Sequence, residues 1–180
     1  MKLSLLCLVL GLGYALPNVY GFLNAKFYAE ALQKFPRSIP AGILLMLGAT
    51  GWFEWLLWHE RLADIAPWKM VLQGVFLFAG VAACFVLKDF LAVRGLAVLM
   101  MLTANVMLET QRLHPSALKN VITLWAYVIA VGGMWLVISP WRLRDWIQWN
   151  VAKDSRFRKG LALRGAFGVF VAILGLTVLQ

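Results

Sequence analysis

PWRLRDWIQWNVAKDSRFRKGLALR, residues 140–164, carries seven of the chain's seventeen Lys and Arg between two strongly apolar runs. Positive residues in short loops stay on the cytoplasmic side during insertion, so a connector this basic fixes the direction of every span around it. Within it, Leu143, Trp146, Ile147 and Val151 share one helical face at 141–151, and Arg142, Arg144 and Asp145 lie opposite. That segment reads as an amphipathic helix lying along the membrane surface.

Working outward, the 180 residues are 62% hydrophobic and 14% charged, with a mean hydropathy of +0.79. A soluble domain of this size has too little interior for that much apolar surface, so lipid must solvate much of the chain. Apolar runs of about 20 residues, at 1.5 Å rise per residue, are long enough to cross a hydrocarbon core. They lack the alternation of barrel strands, which leaves helices. The expected fold is all-α: a polytopic transmembrane helical bundle in one membrane domain, with spans at about 3–23, 39–58, 70–87, 91–108, 121–138 and 161–179. The first is also readable as a signal peptide with Gly13-Tyr14-Ala15 as a cleavage site, which would leave five spans. A second interfacial segment, 24–36, puts Phe27, Tyr28, Ala31, Leu32 and Phe35 on one face. Trp52, Trp55 and Trp58 mark the far end of the second span as a headgroup belt, and His114-Pro115-Ser116 breaks the chain before the fifth.

Alternation places Lys26, Lys34, Arg37, Lys88 and Arg94 on the side of the basic connector, making twelve of the seventeen cations. Lys2, Arg61, Lys69, Arg112 and Lys119 fall on the other. The bias puts both termini outside and the 141–159 loop in the cytoplasm, in a bacterial cytoplasmic membrane. The net charge of +9 is spread over loops and helix ends, not one face, which argues against nucleic acid and for anionic phospholipid. Arg94, Arg142, Arg144, Arg156, Arg158 and Arg164 are the expected headgroup contacts. Cys7 and Cys84 fall near opposite ends of their spans, too far apart for a disulfide.

Two further patterns concern packing. Residues 88–95 (KDFLAVRG) echo 158–165 (RKGLALRG), each with an arginine one turn into a span and a glycine after it. Small residues four apart, Gly11/Ala15, Ala79/Ala83, Ala126/Ala130 and Gly168/Ala172, offer close-packing faces that hold helices together or receive a partner's.

Polar groups inside spans are costly in lipid and are the only pointers to chemistry here. Glu54, Lys69, Gln73, Asn105 and Glu109 fall at similar depth near the outer side. If their helices adjoin, Glu54 would pair with Lys69 in a polar pocket; otherwise each reaches out to the interface. His59 and His114, the two histidines, lie at span ends without the partners of a metal motif. The sequence has no phosphate cradle of the GxxxxGK or GxGxxG type and no nucleophile elbow. The expectation is therefore no catalytic residue, no cofactor and no metal.

From Trp125 to Leu179 the chain resembles a two-span unit of small bacterial inner-membrane proteins of the YjeT-like kind. Gly132, Gly133, Pro140, Trp141, Arg142, Arg164, Gly165 and Gly175 carry the likeness, which covers under a third of the chain and implies no activity. The leading expectation is a non-catalytic accessory or scaffold component, partnered by anionic lipid and other membrane subunits. The rivals are a small-solute or proton-coupled transporter and a haem-binding redox subunit.

Overall fold

Ser139 and Pro140 decide where the basic connector begins: Ser139 N still donates to Trp135 O (2.8 Å), and proline then has no N–H to continue the ladder. A computed structural model describes residues 3–59, 63–112, 116 and 118–177. Among them the chain is helical without strands, in the order α1 (Leu3–Leu23), α2 (Ala25–Lys34), α3 (Ile39–His59), α4 (Lys69–Val86), α5 (Leu91–Gln111), α6 (Lys119–Ile138), α7 (Trp141–Val151) and α8 (Asp154–Thr177). Short 3-10 turns at Phe35–Arg37 and Ala63–Trp68 precede α3 and α4. Six helices, all but α2 and α7, are long and apolar enough to cross a membrane. The expected helical architecture is the observed one.

The boundaries differ in instructive ways. The structure starts α8 at Asp154, where the sequence suggests a polar connector up to Leu161. Phe157, Leu161 and Gly165 form a buried stripe at helical spacing, and Arg158 reaches back to Asp154 at 3.1 Å, so the helix continues through the charges. At the other end of the echo, Phe90 adopts a left-handed φ of 56° and its carbonyl accepts from Val93 and Arg94 N–H. A bulky residue in that conformation is uncommon; it turns the chain between α4 and α5 without glycine or proline. The His114-Pro115 break, Lys2 and Arg61 lie outside the described residues.

The helices belong to two compact units, Met1–Lys34 with Thr103–Ala130 and Arg144–Gln180, and Phe35–Leu102 with Val131–Leu143. In the first, α1 and α8 run antiparallel at backbone contact. A Cβ on Gly11 would meet Ala172 N at 2.6 Å and Gly168 O at 2.7 Å, and one on Gly168 would meet Ala15 N at 2.7 Å. The two small-residue pairs read separately from the sequence thus face each other. Around them Leu6, Cys7, Met107, Ile122, Ala126, Val171 and Leu174 fill the core, and Tyr14, Trp125 and Phe167 meet edge-on at centroid distances of 5.2–6.4 Å. The second unit is built on α3. Gly42 lies against Leu91 and Ala92, Gly95 against Leu45 and Met46, and Thr50 against Gly80 of α4. Cys7 and Cys84, free and buried, lie one in each unit.

Candidate functional site

The amphipathic segments do not lie loose. In the first unit α2 packs on the junction of α7 and α8, where Ala25, Phe157 and Leu161 are buried with Tyr28, Ala29, Leu32 and Val151 around them. The buried face of α2 is rotated from the expected one, leaving Phe27 65% exposed. Gly21 makes room for the Tyr28 ring, since a Cβ there would overlap it. Burial pushes the Tyr28 hydroxyl's pKa up, and the nearby Arg164 guanidinium partly offsets the shift. On α7 the buried residues are Ile147 and Asn150, with Trp146 and Trp149 exposed. Asn150 donates from Nδ2 to Trp146 O (2.9 Å). It was missed by the sequence reading, although its spacing from Leu143 and Ile147 puts it on the apolar face.

The six arginines expected at headgroups divide by what holds them. Arg158 Nη1 donates to Phe22 O in the last turn of α1 (3.4 Å), and Arg156 Nη1 to Trp149 O in the last turn of α7 (2.7 Å). In the second unit Arg94 Nη1 donates to Val137 O near the end of α6 (3.5 Å), while its Nε is buried without a partner. At the opposite end of α3, Lys69 Nζ donates to Trp58 O. Four cations thus meet the last carbonyls of four helices, which have no intrahelical donor and carry the negative end of the helix dipole. Arg164 lies over the Trp146 ring at 4.5 Å and Arg156 over Trp149 at 3.9 Å. Arg144 pairs with Asp145 at 2.9 Å, and Arg142 has an exposed side chain. Arg94, Arg156 and Arg158 thus each spend a donor on a helix end, and Arg156 and Arg164 also stack on tryptophan rings.

Other cations are not so committed. Between α7 and α8, Asn150, Lys153, Arg156, Lys159 and Leu163 line an open recess of about 500 Å³. Lys153 and Lys159 have no acidic partner among the described residues.

The outer polar set divides between the two units. Glu54, Lys69 and Gln73 belong to the second unit, Asn105 and Glu109 to the first. Glu54 does not pair with Lys69: the ammonium sits on Trp58 O and 5.8 Å from a Trp58 ring centroid, while Glu54 Oε1 is buried without a hydrogen-bond partner. Gln73 is half-buried, and Asn105 and Glu109 are exposed on α5. His59 Nδ1 donates to Trp55 O (2.8 Å), and its ring lies 4.6 Å from that of Trp55; His114 is outside the described residues. Among the described residues no three His, Cys, Asp or Glu gather as metal ligands. No family model, curated protein or solved structure matches this chain.

Proposed function

We propose that this multi-pass membrane protein is a non-catalytic accessory or scaffold component of a bacterial cytoplasmic membrane, seated with its basic end on the cytoplasmic leaflet. The observation that carries the reading is the platform of α2, α7 and the first turns of α8, where exposed Phe27, Trp146 and Trp149 accompany basic side chains. Aromatic rings settle at the headgroup level, and each nearby Lys or Arg adds up to about 1 kcal/mol of attraction to an anionic leaflet. The protein's partners are anionic lipid and, through exposed helix faces, other membrane subunits.

The test is topological. Replacing Arg142, Arg144, Arg156 and Arg158 by Gln together should give a mixed orientation in reporter fusions placed after Thr177; an unchanged single orientation would remove the basis for the cytoplasmic assignment. One observation favours a second reading, a proton-coupled carrier: Glu54 Oε1, inside α3, is buried without a partner. Glu54→Gln in sealed vesicles separates the two, since a carrier would lose its pH-dependent uptake and a scaffold would be unaffected.

A further inference from the structure

We propose that the recess between α7 and α8 is a binding site for one lipid with a hydroxyl-bearing, anionic phosphodiester headgroup. The inference rests on the platform reading above and adds to it a defined site. Phe157 N donates to Lys153 O (3.0 Å), which starts α8 immediately after the α7 turn and places Lys153, Arg156 and Lys159 around one opening. Three cations line the recess and no acid does. Arg156 is held by Trp149 O and the Trp149 ring, so it is a fixed wall, whereas Lys153 and Lys159 are exposed and able to close on a phosphate.

Two features distinguish a lipid from a free anion. Lys159 and Leu163 are one helical turn apart along α8, and Leu163 is 74% exposed. A headgroup held at Lys159 therefore delivers its acyl chain to an apolar side chain facing the hydrocarbon, which inorganic phosphate cannot use. The second is Asn150, which is 6% exposed. Its Nδ2 is occupied by Trp146 O, so Oδ1 is the atom left to accept a hydrogen bond, and an alcohol beyond the phosphate can donate it.

The experiment is native mass spectrometry of the full chain in detergent, reading the dissociation constant of the first bound lipid. Phosphatidylglycerol is titrated against phosphatidylcholine for the wild type, Lys153→Gln/Lys159→Gln and the charge-matched control Lys26→Gln/Lys34→Gln on α2. The expected result is a phosphatidylglycerol preference that falls about tenfold or more in the recess variant and less than about threefold in the control. Equal losses in both variants would mean diffuse attraction, overturning the site while the platform reading stands. A wild type without any preference for the anionic lipid would overturn both. If inorganic phosphate binds the wild type as tightly as phosphatidylglycerol does, the acyl chain adds nothing and the lipid assignment is wrong.

Discussion

Two antiparallel helix pairs, α1–α8 and α3–α4, solve the same problem differently. In α1–α8 the contact is backbone on backbone: Gly11, Gly168 and Gly175 each lie where an added Cβ would stand under 3.0 Å from main-chain atoms of the facing helix. In α3–α4 side chains carry the contact, with Thr50 seated over Gly80, Phe53 edge-on to Phe76 at 4.9 Å, and Met46 beside Cys84. Only Cys84 of α4 is buried, and Met70, Phe78, Phe85 and Val86 are each more than 70% exposed. Lipid is as apolar as leucine, so burying side chains gives little drive for helix association, and close approach supplies the dispersion and dipole contacts instead. The first pair uses that close approach along its length, whereas the second uses it at one crossing and leaves most of α4 open.

The largest effect should come from a side chain forced into the first pair. Gly168→Val puts its Cβ near Ala15 N (2.7 Å) and Gly11 O (2.8 Å), and neither main-chain atom can rotate aside. Destabilisation of about 3 kcal/mol or more is expected, at the upper end of overpacking effects, because two backbones must separate. Thermal unfolding in detergent should show it. A variant with the wild-type midpoint would show that the α1–α8 contact does not hold the first unit together.

The corresponding change in the second pair should be milder. A Cβ on Gly80 meets Thr50 Oγ1 and Cγ2, which can turn aside, and Thr50 Cβ at 2.9 Å, which moves only with its backbone. Turning it sacrifices the bond from Thr50 Oγ1 to Met46 O (2.9 Å). Gly80→Ala should cost about 1–2 kcal/mol, and Thr50→Ala in the same chain should recover part of that loss, since alanine keeps only the Cβ contact. Additive effects in this double-mutant cycle would mean that Thr50 and Gly80 are not in contact.

How legible these pairs were in the sequence depends on the kind of information each needs. Span number and position follow from local apolar length, so α1, α3, α5 and α6 begin within two residues of the expected points. Gly11/Ala15 and Gly168/Ala172 were recognisable as packing faces, but which helix meets which is a long-range fact that no local spacing encodes. Among the candidate polar groups, no local pattern tells an arginine that reaches a headgroup from one that caps a helix. Arg156 and Arg158 differ by two positions and cap α7 and α1, respectively. The Glu54–Lys69 pair failed for a related reason: the unpaired carbonyl of Trp58 at the end of α3 competes for the ammonium.

That competition yields a smaller prediction separating the two pairs at their ends. Lys69→Met removes the donor to Trp58 O and should fray the last turn of α3, with faster amide exchange over 55–59 and a local cost of about 0.5–1 kcal/mol. Arg158→Met should fray the last turn of α1 less, because its bond to Phe22 O is long at 3.4 Å and its other partner, Asp154, is on the surface. Equal protection in wild type and Lys69→Met would show that this ammonium does not stabilise the helix end.

The smallest effect tests whether α4 is as open as its exposure indicates. Gly74 is an exposed glycine of α4, and a Cβ there would meet nothing within 4 Å. Alanine is the better helix former by about 1 kcal/mol in water, so Gly74→Ala in the purified monomer should leave unfolding unchanged or raise its midpoint slightly. The same substitution at Gly168 cannot be neutral, because its new methyl group would meet backbone. If Gly74→Ala destabilises the protein in native membranes but not as a purified monomer, something approaches α4 there at glycine distance. The contrast between the two pairs would then lie in which helix covers α4, and no longer in how tightly it packs.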